Sequence, residues 1–416
     1  MKVEKPRGTR DFNPEEMGKR DFVEVAIAGV FKAYNYRKIL TPTFEPAELF
    51  RLKSGEEIKE HMYVFRDKSD RELCLRPEMT ASVCRMYASE LISMQKPLKV
   101  YYSCPMFRYE RPQKGRYREF WQLGIELIGA DNSLADAEVI RVAVDSLNAL
   151  GLEFELEIGS IGLLRSMLDD FRVPKEKHDS VIASIDKGDT EILKKFVDSG
   201  VFYKIIGMKG GSEKLREAAA LLRNSNKSAE QLNRLMEIAG WLDMLKTKYT
   251  INLGRARGLE YYTGMIFELR VDGLGAENQI CGGGRYDNLV KLFGGPDTPA
   301  VGFAFGFDRV VEACEIQKKK LEKKERAVVI AQIGNTTEQA WRIAANLRKN
   351  PGNVKVDLNL IDRKLDKILE YADRINAEFV VIVGEKELKN NSVVVKNMRK
   401  KKQEEVKIAN LIEKLS

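Results

Sequence analysis

The residues of this chain that invite chemistry are arginines and carboxylates set close together. The stretch Arg108 to Glu126, RYERPQKGRYREFWQLGIE, gathers Arg108, Arg111, Lys114, Arg116 and Arg118 and ends on Gln122 and Glu126 in an apolar run. Arg108 and Glu110 stand two apart, the spacing that puts both on one strand face. Two such charges facing a pocket suit a nucleotide, with Arg108 on a phosphate and Glu110 on an adenine amino group. A solvated charged hairpin with PQKG in its turn accounts for the same residues. Gln122, Gly124 and Glu126 share another strand face, opposite Leu123, Ile125 and Leu127. That face is either the polar wall of a pocket or the wet side of a half-exposed strand.

Three further segments carry chemistry. LCLRPEMTASVCRMY sets Glu78 and Thr80 where a loop opens a helix. Helix capping explains them; so does a carboxylate and hydroxyl that hold a substrate ammonium group. RARGLEYYTGMIFEL sets Arg257, Glu260, Tyr261 and Tyr262 beside glycines at a turn into a strand. Aromatic packing is one reading, and a polar pocket the other, because a buried tyrosine hydroxyl needs a partner. CGGGRYDNLVKLFGGPDTPAVGFAFGFDRV is the most specific. Its triple glycine allows close backbone approach. Its end reads as a strand entering a helix with Arg309 in the first turns, where the helix dipole favours anions. A residue that breaks a local rule is a candidate for function.

These segments need elements to position them. At 416 residues, two or three folding units are expected. Charged residues make up 32% and the net charge is +8, which favours a polyanionic partner or substrate. Five cysteines (Cys74, Cys84, Cys104, Cys281, Cys314) lie far apart with no CxxC pair, which fits buried thiols in a reducing compartment. His61 and His178 are the only histidines, so a His-rich metal site or a Ser-His-Asp triad has little material. No apolar run approaches the ~20 residues that span a bilayer. MKVEKPRGTRDF has no apolar core of a signal peptide. A cytoplasmic location is expected.

Glu315 to Arg326, EIQKKKLEKKER, reads as a hinge between units. Beyond it, AVVIAQIG (strand), TTEQAWRIAANLRK (helix, Thr336 as N-cap), VKVDLNL (strand), DRKLDKILEYADRIN (helix, Asp362 as cap), FVVIVG and SVVVKNM (strands) and a last helix through EEVKIANLIEKL predict a small, mostly parallel α/β domain. Residues 171–248 read as a helical insertion. The flanking segments, with strands such as KVYYSCPMFRYE and EFELEIG, are expected to share one mixed sheet.

Taken in order, KPRGTRDF, LRPEMT, MFRYERPQKGRYREFWQLGIE, RGLEYYTG and GGGRYDNLVKLFGG resemble the class II aminoacyl-tRNA synthetases, and among them the histidyl-tRNA synthetase family, over essentially the whole chain. The resemblance implies an α/β (α+β) fold, with a catalytic antiparallel sheet flanked by helices in 1–170 and 249–316. It implies a helical insertion at 171–248, a charged connector at 317–326 and a C-terminal anticodon-binding domain at 327–416. KILTPTFEPAELF resembles the class II dimer segment, with Pro42 as its proline, and implies a homodimer. The implied reaction activates L-histidine with ATP to histidyl-adenylate and pyrophosphate. Histidine then passes to the 3′-terminal adenosine of tRNA(His).

The implied roles attach to matching positions. Glu78 and Thr80 hold the histidine α-amino group, and Met79 lines the pocket through its backbone. Gln122 is a neighbouring histidine contact. Glu126 and Tyr262 read the imidazole, with Tyr261 beside them. Arg108 and Arg309 bind ATP and its phosphates, and Arg108 also borders the histidine. Glu110 and Arg116 are further ATP contacts. Arg257 also borders the histidine and stands at the α-phosphate, where related enzymes use a metal ion. Arg108, Arg257 and Arg309 are thus the catalytic set. Mg²⁺ accompanies the ATP phosphates, and no side chain is expected to hold a metal. The chain departs from the family at Glu260, commonly Asp, and at Trp121, His in many relatives.

Two rivals stand beside this reading. One is a catalytically inactive regulatory relative, the regulatory subunit of ATP phosphoribosyltransferase, which lacks the anticodon-binding domain and typically loses catalytic residues. The other is a nucleic-acid-binding module, suggested by the positive charge. It leaves Glu78, Gln122 and Glu126 among the arginines unexplained.

Overall fold

Asn13 opens the first helix, Pro14–Ala33 (α1), with a reciprocal cap: its side chain accepts the Glu16 amide while the Glu16 carboxylate accepts the Asn13 amide. Val23, Ile27 and Phe31 follow at four-residue spacing and are fully buried. The computed structural model describes residues 3–52, 60–111, 116–197, 199–222, 226–256, 261–275, 278–322, 326–349, 354–361 and 363–415. They divide into two units, Met1–Leu321 and Glu322–Ser416.

The first unit contains strands β1 (Arg37–Lys38), β2 (Phe44–Pro46), β3 (Val64–Arg66), β4 (Glu72–Leu75), β5 (Leu98–Phe107), β6 (Glu119–Ile128), β7 (Glu155–Ser160), β8 (Lys209–Gly210), β9 (Thr250–Asn252), β10 (Met265–Arg270), β11 (Gln279–Arg285) and β12 (Ala300–Gly306). Nine of them form one sheet in the order β1-β5-β6-β12-β11-β10-β7-β9-β8. The run from β5 to β7 is antiparallel, while β1 joins β5 and β9 joins β7 in parallel. The sheet is therefore mixed at its margins and antiparallel at its centre. β2, β4 and β3 make a small separate sheet.

Register sorts the sheet into two faces. Tyr101, Ile125, Phe303 and Gly283 stand opposite one another across β5, β6, β12 and β11. This face packs against α1, where the Phe31 ring meets Tyr101 edge-on at 5.5 Å and Phe303 at 6.0 Å. One step along, Val100, Glu126, Gly302 and Gly284 stand opposite one another, flanked by Tyr102, Gly124, Ala304 and Gly282. This second face is paved with small residues around one carboxylate. Residues 171–248 are mainly helical, interrupted by β8, and their long helix Asn226–Met244 packs on the helices Ser133–Ala149 and Ile161–Asp170. All five cysteines are buried.

The second unit has strands β13 (Arg326–Gln332), β14 (Val354–Leu358), β15 (Phe379–Val383), β16 (Ser392–Asn397) and β17 (Lys402–Lys407), in the order β14-β13-β15-β16-β17. The first two pairings are parallel and the last two antiparallel, so the sheet is mixed and not mostly parallel. The difference lies in KQEEVK. The sequence pattern predicts a helix through EEVKIANLIEKL, from Glu404 on, but the chain reverses at Lys401 in a left-handed conformation (φ 52°) and pairs back on β16. The final helix shrinks to Leu411–Leu415. Thr336 stands just before the helix Thr337–Lys349, and its carbonyl accepts the Ala340 amide. Its hydroxyl does not cap; it donates to the Val383 carbonyl at 2.8 Å and ties β13 to β15. Asp362 lies outside the described residues, and Lys364 is the residue at the start of the helix Leu365–Arg374.

Candidate active site

The pocket face of the sheet centres on Glu126, which is 1% exposed, so this is not the wet side of a half-exposed strand. Three hydroxyls point at its carboxylate. Thr80 donates to Oε1 at 2.9 Å, Tyr102 donates to the same oxygen at 3.4 Å, and Tyr286 donates to Oε2. Burial pushes the carboxyl up from 4.5 to about 8, with the nearby Glu78 charge adding to it and the Tyr286, Thr80 and Tyr102 hydroxyls opposing it. Gly302 faces Glu126 across the β6–β12 pair, and a Cβ there would fall inside the carboxylate. Gly302→Ala is expected to displace Glu126 and raise KM for the substrate it contacts by about tenfold or more. Steady-state kinetics of the folded variant check this.

The raised carboxyl has a consequence for stability. Between its ordinary range and about 8, the folded state holds a proton that the unfolded chain gives up. The stabilisation is complete below the unfolded value and is lost as pH rises through about 8. The melting temperature of the ligand-free protein is expected to fall between about pH 6 and pH 9 more steeply than that of Glu126→Gln, which keeps a neutral side chain. Parallel melting curves of the two proteins measure the difference.

Glu78 lies beside this centre and realises the capping reading. Its Oε2 accepts the Thr80 amide at 2.7 Å and its Oε1 the Ala81 amide at 3.0 Å, at the start of the helix Thr80–Met86. Burial raises its pKa too, while those amides and the Arg108 charge pull it back. Met79 is fully buried; its sulfur accepts from the Thr41 hydroxyl at 3.4 Å. The pocket face thus holds two buried carboxylates, both pushed toward neutrality by desolvation. A ligand that presents cationic or N–H groups to them relieves that penalty.

Arg108 and Glu110 do not share a strand face. β5 ends at Phe107, and the Glu110 amide donates back to the Arg108 carbonyl at 2.8 Å, turning the chain within three residues. The hairpin itself forms: the Arg108 amide donates to the Arg118 carbonyl at 2.9 Å. Pro112 to Gly115, with Lys114, lie outside the described residues. The Arg108 guanidinium donates to the Pro77 carbonyl at 3.0 Å and sits 5.3 Å from the Phe120 ring, which places it at the Glu78 end of the pocket. Glu110 pairs with Arg116 at 3.6 Å. Arg118 lies over the Tyr109 ring at 4.0 Å and donates to the Glu110 carbonyl, a structural role.

Tyr261 and Tyr262 are buried with ring centroids 4.9 Å apart, and Tyr261 meets Tyr286 edge-on at 5.9 Å. Through Tyr286 they join the Glu126 cluster. Thr263 pins their segment: its amide donates to the Arg285 carbonyl at 2.8 Å and its hydroxyl accepts the Asp287 amide at 3.1 Å. Gln122 is partly buried on β6, opposite Gly306 and Cys104. Arg309 stands in the first turn of the helix Phe307–Ile316 and donates to the Gln279 carbonyl at 2.9 Å. Arg257 and Glu260 lie outside the described residues. Residue-type reasoning passed over Tyr102 and Tyr286. The signal for Tyr286 was its place directly after GGGR, and Tyr102 becomes visible only through its register with Gly124.

The family model described as histidyl-tRNA synthetase matches residues 8–310, and that described as anticodon binding domain matches residues 326–416. Histidine--tRNA ligase of Methanocaldococcus jannaschii is 47% identical over 405 residues, covering 95% of each chain. That of Archaeoglobus fulgidus is 44% identical over 412 residues, covering 97% of each. Among solved structures, apo histidyl-tRNA synthetase of S. aureus superposes with a TM-score of 0.74 at 30% identity over 100% of both chains.

Proposed function

The chain belongs to the histidyl-tRNA synthetase family, and from that premise we propose how its own residues carry out the reaction. It is a class II aminoacyl-tRNA synthetase, a histidine--tRNA ligase that uses ATP. The observation that carries the residue-level reading is the pair of buried carboxylates, Glu78 and Glu126, joined through Thr80, whose amide donates to Glu78 and whose hydroxyl donates to Glu126.

Histidine brings an ammonium group and an imidazole, and the two carboxylates match them. Glu78 and Thr80 take the α-amino group beside Met79. Glu126 accepts from the imidazole N–H, while the Tyr262 hydroxyl serves the other ring nitrogen, with Tyr261 and Gln122 completing the wall. Binding to Glu126 replaces its proton with a specific N–H donor. A wrong amino acid offers Glu126 no N–H in that proton's place, and such sites discriminate by roughly 10⁴ or more.

The first step is in-line attack of the histidine carboxylate on the α-phosphorus of ATP. The nucleophile is already an anion, so no general base is needed and two histidines in the whole chain suffice. The site's task is to align two anions and to neutralise charge that builds at phosphorus. Arg108, Arg257 and Arg309 supply guanidinium forks that match phosphate oxygens. Glu110 and Arg116 sit where the adenine and outer phosphates approach. Among the described residues no group of three or more His, Cys, Asp or Glu is placed to hold a metal ion. Mg²⁺ would accompany the nucleotide and offset the charge of the outer phosphates. In the second step the ribose of the terminal adenosine of tRNA(His) takes the histidyl group.

Residues 171–248 act as an insertion within the catalytic unit, and 327–416 as the part that meets the anticodon, in line with the family description of that segment. The small sheet β2-β4-β3 carries exposed Phe44, Val64 and Phe65 near Pro42. A second copy of the chain covers it, giving a homodimer of twice 47.4 kDa in sedimentation. The protein works in the cytoplasm. Among the described residues no helix is long and apolar enough to cross a membrane. The regulatory alternative gains nothing from the comparisons: both relatives carry the ligase name and the anticodon segment is present. Charging of tRNA(His) by the full chain with labelled histidine and ATP tests the reading. Stable histidyl-tRNA is expected, and its absence with folded protein refutes it.

A further inference from the structure

The N-terminal motif KPRGTRDF has no part in the chemistry above, yet it ends inside the catalytic unit. Arg10 donates to Oδ1 of Asp308 at 2.6 Å, and Arg20 of α1 donates to the same oxygen at 2.6 Å. The other oxygen, Oδ2, accepts the Trp121 amide at 2.9 Å. The side chains of Asp308 and Arg20 are 9% and 6% exposed. Aromatic rings hold both arginines in place. Arg10 lies 3.5 Å from the Tyr117 ring centroid, and Arg20 lies 4.2 Å from Phe12 and 4.8 Å from Phe307. One carboxylate thus joins three separate parts of the chain.

Its place in the sheet gives the node its meaning. Asp308 immediately precedes Arg309, in the first turn of the helix Phe307–Ile316. Trp121 immediately precedes Gln122, which stands opposite Gly306, the residue just before that helix. The start of the helix is therefore fixed to β6 twice, through the strand pairing and through the Asp308–Trp121 hydrogen bond. Gly306 itself offers no side chain to cap the helix. Arg309 also donates to the Gln279 carbonyl, so its guanidinium is aimed only if the helix start is held.

We propose that Asp308, clamped by Arg10 and Arg20, is a positioning residue that sets the helix start and so aims Arg309 at the ATP phosphates. This rests on the ATP role given to Arg309 above. The N-terminal segment is then part of the catalytic apparatus, acting through Asp308 and touching no substrate. The order of the contacts accounts for two arginines on one oxygen. They hold the carboxylate rigidly from the outside, while its other oxygen registers the helix against the strand that carries Gln122.

Asp308→Asn keeps an acceptor for the Trp121 amide and turns an N–H₂ group toward the two arginines. Arg10→Met removes one clamp at a side chain that is 26% exposed. Histidine-dependent pyrophosphate exchange is measured for both, for the double variant and for Arg309→Ala, with melting curves alongside. Asp308→Asn is expected to lower kcat/KM for ATP by about 10- to 100-fold, the scale of a displacement near 1 Å. KM for histidine stays within about twofold. Arg10→Met lowers the same parameter by about fivefold, and the double variant is no worse than Asp308→Asn, as expected for one coupled unit. Equal losses on the ATP and histidine sides that follow the melting temperature would overturn the proposal in favour of a purely structural node. Unchanged ATP kinetics in Asp308→Asn and Arg10→Met, with Arg309→Ala crippled, would overturn it and leave the ATP reading intact. A wild-type rate in Arg309→Ala would remove the reading on which it rests.

Discussion

Arg257→Ala is expected to slow adenylate formation by about 10³-fold while histidine affinity changes by less than about threefold. The proposed reaction has no proton to move at its first step. Its barrier is charge building on the α-phosphoryl oxygens, where a preorganised cation has its greatest effect. Arg257→Lys is expected to restore only part of the rate, because an ammonium is a point charge and cannot grip two oxygens in parallel. The described chain before it is anchored at Arg255. Arg255 donates to Glu157 at 2.6 Å, and the same carboxylate accepts from Asn252 and pairs with Lys209 at 2.8 Å. Burial alone would raise Glu157, but Lys209, Asn252 and Arg255 together hold it down to about 2. Single-turnover adenylate formation, with histidine binding by calorimetry, separates the two effects. A wild-type rate in Arg257→Ala would refute its phosphate role.

Glu126→Gln is expected to lower kcat/KM for histidine by about 10²- to 10³-fold and to erode discrimination against amino acids without a ring N–H. The substitution is nearly isosteric, so the cluster of Thr80, Tyr102 and Tyr286 survives in shape. What is lost is an acceptor that can become an anion. The glutamine amide also brings two N–H donors toward three hydroxyls and an imidazole, leaving buried groups mismatched. ATP affinity should change little. Unchanged preference for histidine over its ring-altered analogues would count against Glu126 as the imidazole reader.

Much of this was legible in the residues because strand periodicity is local. Alternation along FWQLGIELIG identified Gln122, Gly124 and Glu126 as one face, and β6 carries them so. Glycine spacing in CGGGRY marked a close approach. Register shows its reason: Gly302 leaves room for the Glu126 carboxylate and Gly284 for the Tyr262 ring, while Gly283 lies under Phe303. What stayed hidden depends on distant chain. The partners of Glu126 come from residues 80, 102 and 286, brought together only by pairing. Arg108 and Glu110 fit a strand by spacing, but a turn at the end of β5 overrides it. The C-terminal helix failed for a similar reason. EEVKIAN has helical composition, and the exposed edge of β16 recruited its first part as a strand. The Asp308 node, spanning almost three hundred residues, leaves no mark in local spacing.

The measurement that bears most directly on the central claim is exchange of labelled pyrophosphate into ATP by the full chain. Exchange should depend on L-histidine, be absent with other amino acids at equal concentration, and need no tRNA. Folded protein that binds histidine and ATP but gives no histidine-dependent exchange would contradict the account.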